Sequence, residues 1–262
     1  MINILSSDAR SQSETFRQMD RENGEDNIQW LDHVSRSEEG ETVLVMVGGI
    51  GPTDFRLRVA QSHVRSDLSP SSWSHVMLLE NSHDLAEAVV TEISLEPQRG
   101  FEFPTANNGM QQGELRHYAN PEEYPNIAVV YVPVPREEVD KALARYIMQR
   151  AVLDGVDLIV RWLAFVWGVG RSGNPLLDGF GIPSAAMLEI IIGAAGFDLT
   201  PGLESRASCP EAISQAAKYW HEYYQDQDKP ALSGAYYAPH QYLKKPGGND
   251  ERNSSSLKSG AR

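Results

Sequence analysis

WSHVMLLE (73–80) reads as a β-strand, with His75, Met77 and Leu79 on one face and Val76 and Leu78 on the other, because side chains alternate across a pleated strand. Upstream, ETVLVMVGG (41–49) is a β-branched apolar run that meets a Gly-Gly-Ile-Gly-Pro turn cluster. DFRLRVAQS (54–62) then alternates polar and apolar residues, so both are expected to be strands. Downstream, AVVTEISLE (88–96) follows a short Asn-Ser-His-Asp linker, and NIAVVYVPV (126–134) adds another strand. Together these runs predict a small, mostly antiparallel sheet.

Helices follow the strands, which gives an α+β class. REEVDKALARYIMQRAVLDG (136–155) carries acids in its first turn and Gly155 where a cap belongs. The 156–170 stretch is expected to be helical. GRSGNPLLDGFGIP (170–183) is a Gly/Pro-rich connection, and PSAAMLEIIIGAAG (183–196) starts a helix at Pro183 and stops it at Gly196. Residues 98–125 show no periodicity and are expected to form a loop, a candidate substrate flap. Residues 1–40 and 241–262 hold few large apolar groups and are expected to be disordered tails around a domain at 41–240.

Composition narrows the function. With 36 acidic residues against 23 basic ones, a net charge of −13 makes nucleic acid a poor partner. A single cysteine excludes an intramolecular disulfide and a cysteine-rich zinc site. No His-x-x-x-His pair, Walker loop or Gly-x-Ser-x-Gly elbow occurs, so neither metal nor cofactor is expected. VDLIVRWLAFVWGVG (156–170) and AAMLEIIIGAAGF (185–197) are too short and too charged to span a bilayer, so stable membrane insertion is not expected. The N-terminus lacks the charged and apolar regions of a secretory signal. A cytoplasmic site is therefore expected, with export as an effector requiring a signal-independent route.

In ASCPEAISQAAKYW (207–220), Pro210 suits a first helical turn, and Ser208 with Glu211 reads as a capping pair. Cys209 thus opens a helix, where the positive dipole end and free amides favour a thiolate and suit an oxyanion. Helical spacing puts it on one inward stripe with Ile213, Ala216 and Trp220. The plainer reading is a small buried hydrophobe. His75 on its strand is a candidate general base, and Glu92, on the next strand, is placed to orient it. His83 beside Asp84 is a reserve base.

A Ser-His-Val strand, an acid on the following strand, then helices and a Ser-Cys-Pro-Glu helix start resemble the circularly permuted NlpC-type papain-like cysteine hydrolases, over roughly residues 41–225. The resemblance implies a papain-like fold with a Cys-bearing helix near its C-terminal end. It assigns Cys209 as nucleophile, His75 as base and Glu92 as orienter. Pro210 departs from the family's usual Ser and removes one amide donor. The implied chemistry is attack on an amide, peptide or peptidoglycan-type, through a thioester. A lipid acyl hydrolase or acyltransferase of the same fold, or a catalytically silent binding module whose tails recruit proteins, are the alternatives. Trp162, Phe165 and Trp167 around Arg161 could line an acyl groove or rest on lipid, although a buried core helix is the simpler reading.

Overall fold

The computed structural model describes residues 13–35, 41–80, 84–95, 107–148 and 154–243. In chain order the strands are β1 (Phe16–Gln18), β2 (Glu41–Gly48), β3 (His75–Leu79), β4 (Val89–Glu92), β5 (Gln111–Glu114), β6 (Asn126–Pro135) and β7 (Ser233–Tyr237). They form one sheet ordered β1-β7-β6-β2-β3-β4-β5, antiparallel throughout except for the parallel β1–β7 pair.

The unbroken apolar run of β2 has a physical reason: it lies between β6 and β3, and both its faces are covered. Leu44 and Met46 enter one core, while Val45 and Val47 enter the other. Over the first face lie α2 (Pro52–Ala60), α3 (Arg136–Met148), α4 (Gly155–Val166), α5 (Pro183–Ala194) and α6 (Pro210–Tyr219), with α7 (His221–Asp226) adding Tyr224. Over the second face lie α1 (Asn27–Val34) and the turn Leu115–Tyr118. The α+β class holds, and the sheet is larger than the sequence implied.

Two segments differ from their sequence reading. The stretch taken as a second strand is helix α2. Its Gly51-Pro52 start fixes a helical entry, Asp54 sits in its first turn, and Phe55 and Val59 fall one helical turn apart on the exposed side. Residues 13–35, taken as tail, form β1 and α1. A reciprocal capping box starts α1, in which Gln29 N donates to Asp26 Oδ1 at 2.8 Å and Asp26 N donates to Gln29 Oε1 at 2.9 Å. It buries Trp30 and Leu31 under the sheet. At the other end Tyr242 remains in contact with the fold, and 244–262 lie outside the described residues.

By length and apolarity alone Pro175–Ala194 passes for a membrane span. In the fold it is a 3-10 turn at Pro175–Asp178, a left-handed break at Gly179, and α5, whose Ala185–Leu188 stretch is buried. Glu189 on that helix accepts hydrogen bonds from Thr200 Oγ1 (2.7 Å) and Leu199 N (3.1 Å), tying α5 to the loop that follows it. Burial, outweighing those hydrogen bonds, pushes its carboxyl up to about 7. A carboxyl raised in the folded state stabilises fully below its unfolded value near 4.5 and loses that contribution as pH rises through about 7. Denaturant melts of the unaltered chain should therefore show stability falling by about 3 kcal/mol from this group across that window. Glu189→Gln, which keeps the acceptor oxygen, should flatten the slope.

Candidate functional site

His75 opens β3 and pairs with Val47, so its ring leaves the sheet on the α1 side. The pairs Leu78–Thr91 and Leu79–Val90, carried on, place Glu92 across from Met77 and one diagonal step from His75. A glutamate is long enough to span such a diagonal. His75 Nε2 lies 2.6 Å from Glu92 Oε2, and Tyr118 Oη donates to the same oxygen at 2.7 Å. Glu92 is 0 % exposed. A buried carboxyl is costly unless paired; both donors serve Oε2, while Oε1 is buried with no hydrogen-bond partner among the described residues. Burial first, and then the Glu92 charge, hold the Tyr118 phenol well above its usual range, so it stays protonated and keeps donating. The Tyr118 ring also stacks on His75, with centroids 6.0 Å apart.

His75 faces a cleft at the end of the sheet where β3 begins and β4 ends. Thr53, Asp54 and Leu57 of α2 line one side, Ile93 to Leu95 another, and Ile182 and Pro183 a third. His117, Tyr118 and Tyr124 close it with a cluster of rings, Tyr118 lying 5.0 Å from His117 and 5.1 Å from Tyr124 between centroids. Buried Arg58 fixes the α2 side. It donates to Ser71 O (2.6 Å), Gly49 O (3.1 Å) and His240 O (2.9 Å), and its guanidinium lies 4.2 Å from the Tyr242 ring centroid. Close approach explains Gly48, since a Cβ there would stand 1.9 Å from Ser72 O in the segment that leads into His75.

Besides α2, α5 brings its first turn to this cleft. Ser184 Oγ donates to Val76 O, anchoring that turn directly on β3. Its N-cap is Ile182, which makes no capping hydrogen bond, and Pro183 follows. An aliphatic side chain therefore stands where a helix-opening nucleophile would meet His75.

Cys209 is the N-cap of α6, one residue later than the capping pair read from sequence; Ser208 precedes the helix, and Glu211 instead accepts from Ser71 Oγ (2.7 Å) and Arg65. Its inward stripe holds, since Ile213 and Ala216 are buried with it in the core of the first face. The thiol is 0 % exposed, and burial pushes its pKa up to about 12; the Glu211 and Ala212 amides pull the other way without prevailing. Cys209 does not line the cleft and makes no hydrogen bond to His75. It runs instead behind Ile182. Ile182 N donates to Ser208 O at 3.0 Å, and Gly181 packs so closely on that segment that a Cβ would stand 2.4 Å from Ser208 O.

Of the three residues read from sequence, the structure brings His75 and Glu92 together and leaves Cys209 buried in the first-face core, outside the cleft lining. The reserve base His83 lies outside the described residues. The expected flap at 98–125 lies partly outside them too; its described part is β5 and the turn that delivers His117, Tyr118 and Tyr124. Asp54, Ile182 and these rings went unread. Only the Gly-Pro-Thr-Asp and Ile-Pro-Ser helix starts signalled any of them. Among the described residues, no group of three His, Cys, Asp or Glu side chains converges as a metal ligand set. Trp162 is buried and donates to Gly181 O, whereas Trp167 is exposed.

No protein-family model, curated protein or solved structure matches this chain. The thiol's surroundings are testable directly. Iodoacetamide should label Cys209 no faster than the chain unfolds, with the same rate in His75→Ala after correction for stability. Labelling of the native chain near neutral pH at an ordinary thiol rate would overturn this placement.

Proposed function

We propose that this chain is a catalytically silent relative of the permuted papain-like hydrolases, acting as a binding module through the cleft at His75, Glu92 and Tyr118. One observation carries the reading: the start of α5 presents Ile182 to the cleft, and the chain's sole cysteine is a protonated core residue outside it. Nucleophilic catalysis needs the thiolate within reach of its base. Here the base and its orienter are preorganised, and the attacking atom is not beside them.

What remains suits recognition. A rigid imidazole backed by a buried carboxylate, ring surfaces, and an apolar floor of Leu57, Leu95 and Ile182 are the parts of a small ligand site with a few placed polar groups. The residue that departs most from the hydrolase pattern is then Ile182 rather than Pro210. The cysteine-hydrolase reading, with Cys209 attacking an amide or acyl carbon, requires the first turn of α6 to move through the packing of Ile182.

Grafting a thiol tests this. In a Cys209→Ser background, Ile182→Cys should be alkylated by iodoacetamide at least about tenfold faster than Cys209 in the unaltered chain, and should slow when His75→Ala is added. The unaltered chain and Cys209→Ala should hydrolyse p-nitrophenyl acetate at the same background rate. Turnover that depends on both Cys209 and His75 would restore the hydrolase reading.

A further inference from the structure

Phe55 and Val59 stand one turn apart on the water side of α2, and the turn after α4 adds Trp167, 67 % exposed, and Val169, 57 % exposed. Two hydrogen bonds lay that turn along α2. Arg56, between the two apolar residues of the helix, donates from Nη1 to Phe165 O at 2.9 Å, and Asn174 Nδ2 donates to Ala60 O at 2.8 Å. A Cβ at Gly168 would stand 3.1 Å from Arg56 Nη1. The chain from 165 to 174 thus begins beside the middle of α2 and ends at its last residue, so the two elements share one surface. Backbone bonding fixes the turn: Trp167 N donates to Leu163 O and Val169 N to Ala164 O, both at 2.9 Å, and Ser172 Oγ donates to Val169 O at 2.7 Å. Trp167 and Val169 are held out in water by this framework, and contiguous apolar side chains so placed mark an interaction site.

In a chain of net charge −13, this surface departs in sign. Residues 158–177 carry Arg161 and Arg171 and no acid, and α2 adds Arg56. Arg56 and Arg171 are exposed and form no ion pair among the described residues. The acids of these elements lie at the margins. Asp54 packs on the Gly49–Gly51 turn, Asp157 is paired with Arg161 at 2.6 Å, and Asp178 comes after the turn. An exposed tryptophan among aliphatic residues, flanked by unpaired guanidinium groups, suits the boundary of an anionic bilayer. The indole rests at headgroup depth, the aliphatic groups reach the acyl boundary, and arginine meets phosphate while its stem stays in apolar surroundings.

We infer that this surface docks the chain peripherally on an anionic lipid bilayer, with Trp167 and Val169 entering the headgroup boundary, Phe55 and Val59 lying against it, and Arg56 and Arg171 meeting lipid phosphates. It uses the side of α2 away from Thr53, Asp54 and Leu57, so its role does not depend on what the cleft binds.

Cosedimentation of the full chain with lipid vesicles forms the test. Vesicles of equimolar phosphatidylcholine and phosphatidylglycerol should bind it at least about tenfold more tightly than phosphatidylcholine alone, and the preference should shrink as salt is raised. Trp167→Ser should weaken binding at least about tenfold, and Val169→Asp should weaken it in the same direction at a second exposed position. Arg56→Gln and Arg171→Gln should each cost about fivefold. Brominated acyl chains should quench the fluorescence of the unaltered chain and leave that of Trp167→Phe unchanged. Failure to bind either vesicle overturns the inference, and so does equal binding to phosphatidylcholine or binding that survives both Trp167→Ser and Val169→Asp. Self-association that Trp167→Ser abolishes, with no vesicle binding, also overturns it and identifies a second copy of the chain as what covers the surface.

Discussion

A carboxylate buried under the sheet, held by an imidazole and a phenol, is the constraint around which this end of the molecule is arranged. The two groups that hydrogen-bond Glu92 Oε2 come from β3 and from the turn after β5. These contacts tie the start of β3, the end of β4 and the turn Leu115–Tyr118 to one another. The ring cluster and one wall of the cleft follow from that arrangement.

A second set of contacts sets the opposite wall. Arg58 gathers the carbonyls of the 49 turn, the 71 loop and the segment at 240, and so holds α2 with Asp54 and Leu57 toward the cleft. Removing such a buried cation leaves several carbonyls unpartnered at once, which is why it acts as a joint between three chain segments rather than as a lone interaction. The start of α5, anchored by Ser184 on β3, supplies the third wall and brings an aliphatic residue to it.

The sequence was informative where one physical signal dominated. Alternation in WSHVMLLE and the short linker to AVVTEISLE sufficed to pair His75 with Glu92, because an antiparallel neighbour and a fixed period leave few other placements. Cys209 at a helix start was legible for the same local reasons, down to its inward stripe. Its relation to His75 was not, since nothing local states which of the helices over one face will bring its first turn to the strand end that carries His75. Two helices of the C-terminal half open on a proline, Pro183 and Pro210, and only tertiary packing decides that α5 and not α6 reaches the cleft. The misread α2 has another cause: Phe55, Leu57 and Val59 alternate like a strand, yet Phe55 and Val59 form an exposed helical pair. The N-terminal element was hidden by the polar residues around it, although Asp26, Gln29, Trp30 and Leu31 spell a capped, half-buried helix.

The central claim is that His75 is locked by Glu92 and turns its other nitrogen to the cleft. Nitrogen-15 NMR of the histidine rings, recorded above the imidazole titration, reads the tautomer of His75 directly. The account predicts a single neutral form with the proton on Nε2 and a bare Nδ1. A proton on Nδ1, or rapid averaging between the two forms, would contradict it and release the cleft from the constraint on which its chemistry depends.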